Sequence, residues 1–168
     1  LDHLFAVVGG NFEELPFPDE SYEVVWCEDS ILHSKRRKRV LEEVFRVLKP
    51  GGEFIFTDPM QADDADENKL QPVYQRIHLA NLGSFGFYRE AAKDIGFEEV
   101  EIRDLSQMLP RHYGRVSEEL KGRWDGELKG LIEEDYFNRM LEGLQHWVKG
   151  GNEGNLTWGI LHFRKPKG

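Results

Sequence analysis

Residues 22–58 read YEVVWCEDSILHSKRRKRVLEEVFRVLKPGGEFIFTD, and this stretch decides the fold class. Residues 22–26 are β-branched and aromatic, which predicts a strand. Residues 34–48 predict a helix capped by Ser34, with an apolar stripe at helical spacing formed by Val40, Leu41, Val44, Phe45 and Leu48. A Pro-Gly-Gly turn ends this helix, and residues 53–57 predict the next strand. Strand, helix and strand joined by short connections are typical of a parallel sheet of α/β type.

The flanking sequence continues this alternation. An apolar run at residues 4–9 predicts a buried strand. Gly96 fits the left-handed position that ends a helix. Further elements are predicted as helices at 71–82, 84–95, 111–124 and 132–149, and as strands around 100–102 and at 156–163.

The composition limits the classes of function that are open to this chain. The chain has 168 residues, 39% hydrophobic and 32% charged, which suits one folded domain. Its net charge of −9 argues against nucleic acid, and we interpret the basic run at 35–39 as a solvated face. The single Cys27 excludes an internal disulfide and favours a reducing, cytoplasmic compartment. No metal-ligand spacing and no membrane-length apolar run occur, so neither a metal site nor a membrane partner is expected.

Several segments resemble the second half of a class I S-adenosylmethionine-dependent methyltransferase domain. They are residues 10–17 (GNFEELPF), 21–26 (SYEVVW), His33, 46–52 (RVLKPGG) and the strand that ends at Asp58. The resemblance implies an α/β, Rossmann-like sheet with a helical lid insertion. It predicts parallel strands at 22–27 and 53–58, a strand at 97–105, and an antiparallel strand at 156–164 between 53–58 and 97–105.

A narrower resemblance, to the sarcosine/dimethylglycine N-methyltransferases that make glycine betaine, covers nearly the whole chain. It is carried by residues 57–60 (TDPM), 76–79 (RIHL), 83–89 (GSFGFYR), 112–113 (HY), 144–147 (LQHW) and 156–159 (LTWG). These segments fall mostly in the lid, which differs most among methyltransferases. The resemblance therefore implies a small amino acid as the methyl acceptor.

The glycine-rich cofactor loop of that family has no match here, and its first strands are missing. The resemblance divides the chain into a cofactor-binding core at 1–60, a lid at 61–95 and 106–150, and closing strands at 96–105 and 151–168. We expect residues 1–168 alone to bind S-adenosylmethionine weakly. We also expect residues 4–9 either to pair onto 22–27 or to exchange between two copies in a homodimer.

The resemblance also implies a cofactor site at the carboxyl edge of the sheet, where α/β folds bind ligands. Asn11 and the Phe12 amide would meet the adenine. Cys27, Glu28 and the residues up to His33 would form a wall beside the methionine part.

For the chemistry, His33 is a candidate base, because its ordinary pKa allows proton uptake near neutral pH. Asp58 could hold the substrate ammonium or orient His33. The alternatives are that His33 only shapes the cofactor pocket and that Asp58 caps a turn.

The acceptor's carboxylate needs cations or several donors. The lid candidates are Arg76, Arg89, Arg111, Arg115, His112 and Tyr113. A quaternary product could lie against Tyr88 or Trp158 through cation–π contact, although Trp158 is also consistent with core packing.

Two other functions remain open. The acceptor could be another small molecule, such as a sterol, a phenol or a natural product. The chain could instead be a non-catalytic, methyltransferase-like remnant that acts as a binding or dimerisation module.

Overall fold

A computed structural model describes residues 4–168, and its core is a four-stranded mixed sheet in the order β1-β2-β4-β3. The strands are β1 (Tyr22–Glu28), β2 (Leu48–Gln61), β3 (Glu98–Asp104) and β4 (Leu156–Arg164). β1 and β2 are parallel, whereas β4 runs antiparallel to both β2 and β3. The predicted strand order, including β4 between β2 and β3, is confirmed.

Five helices connect these strands: α1 (Arg37–Val47), α2 (Glu67–Arg76), α3 (Phe85–Ile95), α4 (Met108–Arg123) and α5 (Glu134–Asn152). The predicted end of α3 is confirmed, since Gly96 has φ +115°. Several bounds differ from prediction: α4 begins at Met108 instead of residue 111, and α2 ends at Arg76 instead of residue 82. α1 is not capped by Ser34, whose hydroxyl instead accepts from the Arg36 N–H and donates to Glu13. α2 begins earlier than predicted, because the Asp66 side chain accepts from the Asn68 N–H.

The helices create two apolar cores. The first core lies between α1, α3 and one face of the sheet, and it contains Phe54, Phe56, Tyr88, Leu161 and Phe163. The second core joins α2, α4 and α5, and it contains Leu70, Val73, Tyr74, Trp147 and Leu156. α3 thus packs against the sheet in the first core, and the predicted lid boundary at residue 95 stays a prediction.

The opposite face of the sheet is open at β1. Val24 and Trp26 alternate with the inward-facing Val25 and are 54% and 59% exposed. Among residues 4–168, β1 pairs with β2 alone.

Residues 4–9 do not form the predicted strand. Residues 5–10 are irregular, and Phe5 and Val7 are 75% and 101% exposed. Their β propensity has no neighbouring strand to complete a ladder, and a strand needs such pairing. The predicted pairing of 4–9 onto β1 is therefore wrong, and exchange between two copies stays a prediction.

Candidate functional site

The chain reverses sharply at the carboxyl end of β1, in a stretch that we call the wall segment, Glu28–His33. Asp29 adopts φ +47°, a conformation that Asp tolerates better than most residues. Its N–H donates to the Thr57 carbonyl at 3.0 Å, and a 3₁₀ turn follows at Ile31–His33. The wall segment is therefore tied to β2 and placed at the edge of the sheet.

Asp29 directly follows β1, and one of its carboxylate oxygens accepts hydrogen bonds from residues of β2 and β4. Its Oδ1 accepts from the Thr57 hydroxyl at 2.8 Å and from the Trp158 indole Nε1 at 2.9 Å. Its Oδ2 has no donor among residues 4–168 and stays available as an acceptor. The sequence placed Asp29 only within the predicted wall from Cys27 to His33 and did not single it out, although its position directly after a strand at the carboxyl edge was a usable signal.

A cavity of about 360 Å³ opens between the wall segment, β4 and the start of α4. Its lining residues are Glu28, Asp29, Pro59, Met108, Leu109, Arg111, His112, Tyr113, Arg115 and Trp158. Six of the predicted site residues thus meet in one place: Glu28, Arg111, His112, Tyr113, Arg115 and Trp158.

The cavity is electrostatically divided. Glu28 and Asp29 stand on the wall side, whereas Arg111, His112 and Arg115 come from α4. A ligand with a positive and a negative end matches this arrangement, because each end meets the opposite charge.

Tyr113 is held firmly between these sides. Its ring stacks on Trp147 with centroids 5.1 Å apart and meets the His112 ring edge-on. Burial raises the pKa of the Tyr113 hydroxyl, and the nearby Asp29 carboxylate adds to this. The hydroxyl therefore stays protonated at neutral pH and can donate a hydrogen bond.

Asp58 and Tyr88 do not reach the cavity. Both side chains are fully buried, and the Tyr88 hydroxyl donates to Asp58 Oδ2 at 2.6 Å. Burial raises the pKa of Asp58 to about 7. The predicted contacts of Asp58 with an ammonium and of Tyr88 with a quaternary product are wrong for this arrangement, because the first core encloses both groups.

The turn that carries Asn11 and Phe12 lies beside the wall segment. Glu13 follows this turn and accepts from the Ser34 hydroxyl at 2.6 Å. Arg46 of α1 donates to the carbonyls of Leu15 and Phe17. The Arg of the RVLKPGG segment thus anchors the loop, a role that its sequence did not reveal.

The remaining predicted cofactor residues differ in accessibility. The Phe12 N–H has no acceptor among residues 4–168, so it is free to donate, and the Asn11 Oδ1 accepts from the Glu13 N–H. These groups fit a base edge. His33 is exposed but does not line the cavity. Cys27 is half-buried against the first core and does not line the cavity, and burial raises the pKa of its thiol.

Two predicted arginines lie elsewhere. Arg76 borders a separate hollow of about 220 Å³ against α5, where its side chain packs on Gly143. Arg89 forms an ion pair with Glu99 on the surface. Neither guanidinium lines the cavity that Arg111 lines.

Residues 4–168 contain no group of three His, Cys, Asp or Glu side chains arranged to hold a metal ion. Over the same residues, every helix is too short or too polar to cross a membrane.

Comparisons with known proteins agree with this geometry. A family model described as a methyltransferase domain matches residues 2–56. The sarcosine/dimethylglycine N-methyltransferase of Halorhodospira halochloris is 54% identical over 98% of this chain and 59% of its own length. The dimethylglycine N-methyltransferase of Parasynechococcus marenigrum is 43% identical over 99% of this chain and 59% of its own length.

A solved structure gives the same result for the fold. The crystal structure described as a sarcosine dimethylglycine methyltransferase from Galdieria sulphuraria superposes with a TM-score of 0.88 at 39% identity, covering 94% of this chain and 58% of that one. The chain thus spans just under three fifths of these relatives. It has the fold of a class I methyltransferase domain and is similar over nearly its whole length to sarcosine/dimethylglycine N-methyltransferases.

Proposed function

We propose that the protein transfers a methyl group from S-adenosylmethionine to the nitrogen of a small amino acid, sarcosine or dimethylglycine, toward glycine betaine. The observation that carries the proposal is the divided cavity, with acids on the wall segment and cations on α4. A zwitterionic amino acid has this charge pattern. The names of the relatives support the same substrate class.

In the proposed complex the acceptor's carboxylate faces α4. Arg111 and Arg115 provide positive charge, and His112 and Tyr113 provide further donors. An Arg fork matches a carboxylate geometrically, and such charge-assisted hydrogen bonds are about twice as strong as neutral ones. This contact would leave the amine pointing toward the wall segment.

The amine end then lies near Asp29 and Trp158. The free Oδ2 of Asp29 can accept from an ammonium, and its Oδ1 fixes the Trp158 indole. Each methylation removes an N–H donor from the substrate nitrogen. The face of the Trp158 ring then becomes a better partner for this nitrogen than the Asp29 carboxylate.

The amine must lose its proton before it can attack, because only the free lone pair is nucleophilic. Because His33 is exposed and does not line the cavity, we assign the proton to solvent, which can pass it on to His33. S-adenosylmethionine supplies the electrophilic methyl group when bound. The Phe12 amide and Asn11 would hold its adenine, and the wall segment would flank its methionine part.

Other acceptors fit less well. A sterol or phenol favours an apolar funnel, whereas three cationic or imidazole side chains line this cavity. A reducing, cytoplasmic setting remains part of the proposal and rests on the single cysteine.

The test is a methyl-transfer assay on the purified protein with S-adenosylmethionine, in which dimethylglycine and catechol are offered in parallel and products are read by mass spectrometry. We expect betaine from dimethylglycine and no methylated catechol. Cofactor binding without transfer to sarcosine or dimethylglycine would point instead to the binding-module alternative.

A further inference from the structure

The backbone of Leu32, next to the end of the wall segment, is held from both sides. Its N–H donates to Asp58 Oδ1 at 3.1 Å. Its carbonyl accepts from the Arg37 guanidinium at 2.9 Å, and the same guanidinium binds the carbonyl and the side chain of Asn81. The N–H and the carbonyl of Leu32 are therefore both satisfied by side chains rather than by a neighbouring strand.

Asp58 is itself fixed. Its second oxygen accepts from the Tyr88 hydroxyl at 2.6 Å, and α3 holds Tyr88 inside the first core. Burying a carboxyl costs free energy unless its oxygens find donors, so this acid is expensive to keep in place. A role in shaping the adjoining segment would account for it.

The wall segment also connects the two cores. Ile31 belongs to the first core, and the next residue, Leu32, belongs to the second core of α2, α4 and α5. A shift of this peptide would move the wall residues relative to α4, which carries the cationic side of the cavity.

We propose that Asp58 is a positioning residue, which together with Tyr88 fixes the backbone of Leu32 and thereby sets the position of Asp29 in the cavity wall. This assignment rests on the proposed function for its kinetic consequence, but its structural part does not. Asp58 acts through the backbone and touches no substrate.

The chain offers a matched control. Tyr74 is also buried, and its hydroxyl donates at 2.7 Å to the Gln61 Oε1, which accepts in turn from the Leu82 N–H. Tyr88→Phe and Tyr74→Phe thus each remove a buried tyrosine hydroxyl that binds a side chain, which in turn accepts from a backbone N–H. Only the series of hydrogen bonds that begins at Tyr88 ends in the wall segment.

Amide hydrogen exchange and steady-state kinetics are measured on the purified wild-type protein and both variants. We expect Tyr88→Phe to accelerate exchange across 29–34 and to lower kcat roughly tenfold while KM for dimethylglycine changes less than twofold, since small misplacements mainly cost the chemical step. Tyr74→Phe should leave both unchanged, even at an equal loss of Tm. Asp58→Asn, which keeps an acceptor for Leu32, should retain more protection of 29–34 than Asp58→Ala.

Equal exchange of 29–34 in Tyr88→Phe and wild type overturns the positioning role, whatever the kinetics. Exchange that accelerates as expected in a protein that does not methylate dimethylglycine supports the positioning role and refutes the proposed function instead. Faster exchange with kcat unchanged also overturns the proposal, since the segment would then move without consequence.

Discussion

Two aspartates lie side by side at the carboxyl edge of the sheet, and their surroundings are opposite. Glu28 of β1 pairs with Thr57 of β2, so Asp29 and Asp58 follow at adjacent positions. Asp58 is fully buried with Tyr88, and burial raises the pKa of its carboxyl to about 7. Asp29 lines the open cavity and holds Trp158.

The difference arises from the face that each side chain occupies. Asp58 continues the alternation of Phe54 and Phe56, which places all three side chains on the face that α3 covers. Asp29 leaves the strand through a left-handed turn and escapes this alternation. Two acids at one edge can thus serve binding and architecture separately.

The largest expected effect is the loss of activity when the Asp29 side chain is removed from the cavity. Asp29→Ala should lower kcat/KM for dimethylglycine about hundredfold, because the ammonium loses a charged acceptor and Trp158 loses its anchor. Steady-state kinetics measure this loss. Asp94→Ala removes an exposed Asp that pairs with Lys38 far from the cavity, and it should change nothing. Similar losses in both variants would show that Asp29 has no special place.

The second prediction concerns the stability of the buried side. The folded-state pKa of Asp58 is raised, so the folded protein binds a proton more tightly than the unfolded chain, and this contribution is lost as pH rises toward 7. Between pH 5 and 6.5 the wild type should lose about 2 kcal/mol relative to Asp58→Asn, at about 1.4 kcal/mol per pH unit.

Urea unfolding at several pH values measures this difference. Asp29→Asn is the matched control, since it removes the neighbouring carboxyl and should leave the slope in place. Parallel curves for wild type and Asp58→Asn would contradict the buried, proton-binding state.

Much of this comparison could be read from the sequence. The strand order followed from residues 22–58 and from the resemblance. The cavity is lined by six residues that were named from the sequence and whose roles stay predictions: Glu28, Arg111, His112, Tyr113, Arg115 and Trp158. Period-two alternation from Phe54 would also have placed Asp58 on the covered face of the sheet. The positive φ of Asp29 and the packing of Arg76 on Gly143 depend on tertiary contacts that no local pattern shows.

A third, smaller effect is expected beside the wall segment. In the complete protein, Asn11→Ala should weaken S-adenosylmethionine binding by about 1 kcal/mol, the typical worth of one hydrogen bond. Titration calorimetry on the purified protein measures it. Glu14→Ala, three residues along the same loop, should bind the cofactor like the wild type. An unchanged Kd in Asn11→Ala would remove this residue from the cofactor site.

The smallest effect should come from Trp158→Phe, which keeps an aromatic face but removes the indole N–H that Asp29 accepts. We expect KM for dimethylglycine to rise about threefold, since the cation–π contact survives in weaker form. Trp26→Phe, on the open face of β1, is the control for loss of an indole. A larger effect on the dimethylglycine kinetics than that of Asp29→Ala would show that Trp158 contributes more than Asp29 to binding the amine.

The central claim is that the cavity recognises both ends of a zwitterion. It is tested most directly by comparing Arg111→Ala with the wild type on dimethylglycine and on N,N-dimethylethanolamine, which has the same amine but no carboxylate. The account predicts that the substitution lowers kcat/KM for dimethylglycine by at least roughly tenfold and leaves the value for dimethylethanolamine nearly unchanged. An equal loss on both acceptors would contradict it, because Arg111 would then not be reading the carboxylate.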